Sequence, residues 1–261
     1  MTLFSALLAS MSHSDGHYQV APGEGWGQGR TLYGGITLAV AAHAARLAFP
    51  DLPPLRGVQA AFTGPASGVL TMKPVKVAAG KSSAFIAVDI HTEAGTALRA
   101  TFCYGVARQS RFSHSDLGAP PAARPEDCPG FFRSALAPQF TAQFDGRLAG
   151  KAGMFAGSDD PDLLTWIRHI DTEVTDAEAG LIALADALPP AVMLMFTEPS
   201  PISTATWSME ILTENYANSG WHLLRTQAEH VGEGYSSQHM NVWDEAGRPL
   251  MVGRQLVTIY R

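Results

Sequence analysis

Two periodicities run along the chain and divide it into elements. From Arg30 to Asp51, RTLYGGITLAVAAHAARLAFPD is apolar at helical spacing and is closed by Pro50. It predicts a helix with the paired Gly34 and Gly35 at its start. A second helix is predicted from a cap at Thr175 or Asp176, through Leu181 and Leu184, to about Leu188, where Pro189 and Pro190 stop it. Elsewhere the pattern alternates with the period of half-buried strands. FIAVDI runs into LRATFCYGV, and HMNVW into LMVGRQLVTIY, each pair joined by an acidic-Gly turn, so each reads as a hairpin. Upstream of the hairpins lie two further strand candidates, LRGVQAAFTG and TATWSMEIL. At the N-terminus, Leu3, Phe4, Leu7, Leu8 and Met11 fall at helical spacing with no basic stretch before them, which favours an amphipathic helix over a signal peptide.

The elements repeat. Gly80–Leu98 reads GKSSAFIAVDIHTEAGTAL and Gly232–Leu250 reads GEGYSSQHMNVWDEAGRPL, and the EAG tripeptide recurs with Gly95 and Gly247 152 residues apart. Both halves follow one plan of helix, strand, strand and hairpin. Between them a Pro-rich stretch, including GAPPAARPEDCPG, reads as an extended linker over the surface. The division is residues 1–110, a linker over 111–138, and residues 139–261.

Composition narrows the partners. The chain has 261 residues, 46% of them hydrophobic, and carries a net charge of −6 with only 18 Lys and Arg and no basic run. That balance excludes the electrostatic footprint of nucleic-acid or anionic-membrane binding, and the apolar run at residues 179–196 is too interrupted by prolines to span a membrane. Cys103 and Cys128 are too few for a disulfide framework or a zinc site and suggest reduced thiols in a cytoplasmic protein. No metal and no cofactor is expected. There is no G-x-S-x-G elbow and no H-E-x-x-H. His43, on the apolar helix, reads as a satisfied core or groove residue, and GEGWGQG (Gly23–Gly29) as an extended arm rather than a phosphate loop.

One charge stands out. AGLIALADALPPAVMLMF, residues 179–196, contains a single charged side chain, Asp186, in the last turn of the predicted second helix. There it faces the negative end of the helix dipole, with Ile182 and Ala183 as its i−4 and i−3 neighbours, so nothing local favours it. It either points to solvent, accepts a capping bond from the LPPA turn, or has a function. Gln255 lies in an otherwise apolar strand, and the repeat aligns it with Cys103, so the polar group occurs in one copy only. Thr204, in STAT, has ordinary strand-start composition.

LYGGITLAVAAHAA, GKSSAFIAV, ALADALPP, STATWSMEI and the terminal GRQLVTIYR together resemble the acyl-CoA thioesterase II family. The resemblance covers nearly the whole chain. It implies an α+β double hotdog, two helix-on-antiparallel-sheet repeats forming one continuous sheet, an acyl-CoA substrate, and a homodimer or higher homo-oligomer paired through an incompletely covered sheet face. The family's catalytic Asp, Thr and Gln match Asp186, Thr204 and Gln255.

Those residue types suit the chemistry. Thioester hydrolysis needs a water activated for attack and donors for the oxyanion that develops, with no nucleophilic side chain. Asp186 would be the base, Thr204 and Gln255 would hold the water, and backbone N–H groups near Gly34 and Gly35 would serve the oxyanion. The glycines serve equally well to allow tight helix-to-sheet packing. A double hotdog that binds an acyl group without turning it over is the alternative.

Overall fold

In the computed structural model, residues 1–132 and 137–260 are described, so part of the 111–138 linker lies outside the described residues. The N-terminal segment forms α1 (Phe4–Ala9), β1 (Ser12–Ser14), β2 (His17–Val20), β3 (Gly27–Gln28) and β4 (Thr31–Leu32). The first repeat follows as α2 (Gly34–Ala48), β5 (Leu55–Phe62), β6 (Leu70–Met72), β7 (Val75–Ala79), β8 (Ser83–Thr92) and β9 (Gly95–Gly105). After the linker come β10 (Phe144–Leu148) and β11 (Asp162–His169). The second repeat is α3 (Ala177–Ala185), β12 (Ile202–Ile211), β13 (His222–Gly232), β14 (Tyr235–Asp244) and β15 (Pro249–Ile259), with a short 3-10 turn at Ala191–Leu194 between α3 and β12.

All but β3 and β4 join one sheet, in the order β1-β2-β6-β8-β9-β5-β12-β15-β14-β13-β11-β10, with β7 alongside β8. Its halves meet where β5 pairs antiparallel with β12, Ala60 opposite Trp207. The order read outward from that seam is the same in both directions: helix-first strand, hairpin, and then the outer strands. This is the continuous double-hotdog sheet. Sequence patterning did not mark the outer pairs β1/β2 and β10/β11, which are short or irregular in burial.

Alternation puts one face of each strand under a helix. Ile86, Val88, Ile90, Leu98, Ala100 and Phe102 are fully buried beneath α2, which itself buries ten residues from Gly35 to Ala45. α3 buries every residue from Ala179 to Ala185. The helices pack antiparallel: the start of α2 meets the end of α3, and the end of α2 meets the start of α3, where Arg46 bonds Glu178 and His43 bonds Asp176 at 2.7 Å. Asp176 is the cap, its side chain accepting the Ala179 N–H at 3.0 Å.

α3 is shorter than the sequence predicts. It ends at Ala185 with Asp186 as its C-cap, not at Leu188. Pro189 disfavours helical backbone at the preceding residue, and the Ala187 N–H turns back to the Leu184 carbonyl at 3.0 Å, the tightening of a helix end.

The strand register corrects the repeat alignment as well. Gln255 pairs with Gln238, and the equivalent first-half pair is Phe102 with Ile86. Cys103 instead pairs with half-exposed Phe85 on the outer face. The reason lies in the turns. Thr92 pairs with Gly95, whereas the Asp244 N–H bonds the Arg248 carbonyl, one residue beyond Gly247. A one-residue slip exchanges the faces of a strand.

The described part of the linker is seated on the outer face of the second half. The Trp166 indole donates to the Ala123 carbonyl at 2.9 Å and Trp243 to Leu117 at 2.7 Å, with Cys128 buried in the same apolar cluster. The GEGWGQG arm is also tied down: Trp26 is fully buried, bonds the Thr2 carbonyl and packs against Phe4 of α1.

Candidate active site

The meeting of α2 and α3 sets the site. Because Gly34 and Gly35 lack side chains, the end of α3 lies directly against the first turn of α2. A Cβ on Gly34 would stand 2.8 Å from Asp186 Oδ2, and one on Gly35 would stand 2.9 Å from Asp186 Cβ and 3.0 Å from the Ala183 carbonyl. The Gly35 N–H lies near enough to the Asp186 carboxyl to favour its charged form. Behind this junction stands an aromatic wall. Tyr33, fully buried, stacks on Phe140 with centroids 4.2 Å apart and donates its hydroxyl to the Ala183 carbonyl at 3.1 Å. Burial, and then the Asp186 charge, raise the Tyr33 pKa well above its ordinary value, so it remains a neutral donor.

From the sheet side, Gln255 Nε2 donates to Asp186 Oδ1 at 2.7 Å. Asp186 as a residue still reaches solvent in part, but protein atoms crowd the carboxyl enough that burial pushes its pKa from 3.8 up to about 7, against the pull of the Gln255 hydrogen bond and of the nearby Gly35 N–H. A carboxyl held near neutrality is poised to exchange a proton at physiological pH.

Thr204 reaches the same face by a backbone irregularity. Trp207, Met209 and Ile211 point inward along β12, so simple alternation would turn Thr204 outward. A bulge between Thr204 and Thr206 places Thr204 opposite Val257, two residues beyond Gln255 and on its face. The same bulge occurs in the first half, where Leu55 sits opposite Tyr104. Thr204 is half-buried, and its hydroxyl makes no hydrogen bond among the described residues. The structure therefore joins Asp186 and Gln255 directly and brings Thr204 onto the face of Gln255, with no hydrogen bond between Thr204 and either of them.

Both glycines, expected from sequence beside the oxyanion, form the close-approach surface against which the Asp186 carboxyl sits.

The related position in the first half is silent. Leu55, Phe102 and Ile86 stand where the second half has Thr204, Gln255 and Gln238. The acid there, Glu178, is tied to Arg46 and to the Leu55 N–H at 2.9 Å.

Sequence reading missed Gln238. It is 1% exposed, faces Gln255 across β14 and β15, and its Oε1 accepts the Ala191 N–H at 2.5 Å. Its signal was available: Gln238 shares the phase of Met240 and Val242 in an alternating strand.

Comparison with known proteins agrees with this architecture. A search of the curated proteins returns no match. Among solved structures, a protein of unknown function with hot dog fold from Alicyclobacillus acidocaldarius superposes with a TM-score of 0.86 at 23% identity, covering 98% of this chain and 97% of that one. An acyl-CoA thioesterase II of Mycobacterium marinum gives 0.77 at 15% identity, over 97% of this chain and 96% of that one. A tesB protein of Mycobacterium avium subspecies paratuberculosis gives 0.79 at 13%, over 98% of each. Residues 22–105 match the family of acyl-CoA thioesterase N-terminal domains and residues 119–259 that of the C-terminal domains. With both domain types matched in order along nearly its whole length, the chain belongs to the acyl-CoA thioesterase family and is a thioester hydrolase.

Proposed function

We propose that the chain hydrolyses acyl-CoA thioesters to a free acid and CoA by water that Asp186 activates. The observation that carries this reading is the 2.7 Å bond from Gln255 to a carboxyl whose pKa burial pushes up to about 7. Asp186 takes a proton from water as the water oxygen attacks the thioester carbonyl carbon, and the carbonyl electrons move onto oxygen. Collapse of that intermediate breaks the C–S bond, and the departing CoA sulfur takes the proton back from Asp186. Gln255, its N–H fixed on Asp186, keeps its Oε1 to accept from the water. The Thr204 hydroxyl closes the other side. The two free thiols, Cys103 and Cys128, fit a reducing cytoplasm; among the described residues no helix is long and apolar enough to cross a membrane.

Turnover assayed on short, medium and long acyl-CoAs tests the reading. Because the base acts when deprotonated, kcat/KM is expected to rise with pH and level off above an apparent pKa of about 7. A rate already flat from pH 5 to 8 excludes Asp186 as the base.

The uncovered sheet face supports self-association. Val75, Val77 and Phe85, on neighbouring strands β7 and β8, remain exposed, and the family resemblance implies pairing through such a face. Light scattering at micromolar concentration is expected to give at least a dimer. A mass of 27.8 kDa, that of one chain, excludes it.

A further inference from the structure

The substrate's carbonyl oxygen needs a donor where negative charge develops during attack. The neighbouring strand supplies one. Gln238 stands directly opposite Gln255, and side chains so paired have Cβ atoms about 5 Å apart. The orientation of its amide is fixed by chemistry: the Ala191 N–H can only donate, so the group facing it at 2.5 Å is Oε1. Nε2 is thereby turned away from Ala191. It is buried and has no hydrogen-bond partner among the described residues.

A buried amide with an idle N–H is costly and calls for a partner. Three features point to substrate as that partner. The idle donor adjoins the Asp186–Gln255 pair. Its counterpart in the silent half is Ile86, just as that of Gln255 is Phe102, so both amides occur only in the half that carries the acid. Ala191 lies five residues beyond Asp186, and its bond to Gln238 anchors the far end of the diproline turn that follows the base. Trp207, on the other flank of Gln255, also has an unpartnered indole N–H, but that group lies over Gly253, where an added Cβ would meet it at 3.3 Å.

We propose that Gln238 is a further catalytic residue, whose side-chain N–H donates to the thioester carbonyl oxygen and to the oxyanion that replaces it during attack. The assignment rests on the hydrolase reading above and specifies the acceptor side of the same reaction. As the C=O double bond opens, its electron pair comes to rest on an oxygen already facing a preorganised donor, and returns when the C–S bond breaks.

Gln238→Met keeps length and apolar fit while removing the donor. It is expected to lower kcat by about two to three decades, the usual worth of one oxyanion donor, with KM changed little and by a similar factor for every chain length. Infrared spectroscopy of a bound acyl-CoA analogue, with a methylene in place of the thioester sulfur, reads the contact directly. In the wild type its ketone band should fall to lower frequency than in water, and in Gln238→Met that shift should shrink. Asp186→Asn should retain the band shift while losing turnover, so failure of the base and failure of the donor are told apart. If Gln238→Met does not fold, Gln238→Asn, which keeps the amide but withdraws it by one methylene, is expected to show the same loss of shift and of kcat. Wild-type kcat in a folded variant, or a lowered kcat with the ketone band unmoved, overturns the proposal; the second result would make Gln238 a support for the Ala191 turn only.

Discussion

Asp186→Asn should lower kcat/KM by about two to four decades, the range that a general base contributes, while making the protein more stable at alkaline pH. Both effects come from the same burial. Asn preserves shape and hydrogen-bonding capacity but cannot take a proton from water. As for stability, the folded-state pKa of Asp186 is raised to about 7 from an ordinary 3.8, so between those values the folded protein holds a proton that the unfolded chain has released. Stability from this group therefore falls as pH rises through that window and is lowest above pH 7. Each pK unit corresponds to about 1.4 kcal/mol, so the ionised carboxylate costs on the order of 2–4 kcal/mol, and Asn is relieved of it. Thermal unfolding at pH 5 and pH 8 should show the variant's advantage widening with pH. A lead that stays constant, or a variant that hydrolyses its best acyl-CoA at the wild-type rate, removes Asp186 from the mechanism.

What the sequence revealed depended on how local the determinant was. The helix over Gly34–Ala48 and both hairpins were legible because apolar periodicity, Pro50 and the EAG turns are local signals. Asp186 was legible as an anomaly, a lone charge without a local partner, because its partners lie 69 residues downstream at Gln255 and in the first turn of the other helix. Register was not legible. A turn longer by one residue after Asp244 moved Gln255 from alignment with Cys103 to alignment with Phe102, and tripeptide matching cannot see such a slip. The inward turn of Thr204 was hidden for the same reason, since a bulge shows only in the pairing of β12 with β15. The seating of Asp186 against Gly34 and Gly35 was hidden at another level, since it depends on how α3 packs on the first turn of α2.

That last point carries the second large effect. Gly35→Ala places a methyl in the first turn of α2, where helix propensity alone would favour it by about 1 kcal/mol. Packing opposes it more strongly. The new Cβ would lie 2.5 Å from Tyr33 Cε2, 2.9 Å from Asp186 Cβ and 3.0 Å from the backbone carbonyl of Ala183. Tyr33 cannot easily yield, being stacked on Phe140 and held through its hydroxyl to that same carbonyl. The relief left is separation of α2 from α3, which overpacking penalties put at about 1–3 kcal/mol. Separation also withdraws the Gly35 N–H from the carboxyl. Since the nearness of that N–H lowers the Asp186 pKa, its withdrawal should raise the apparent pKa of kcat/KM, and displacement of the base by a fraction of an ångström to one ångström should cost about a hundredfold in rate. Gly118→Ala, with no atom within 4 Å of the added Cβ, is the control and should match the wild type in both rate and unfolding temperature. If Gly35→Ala keeps wild-type activity and the wild-type pH midpoint, then contact between the two helices does not set the base, and the paired glycines serve packing alone.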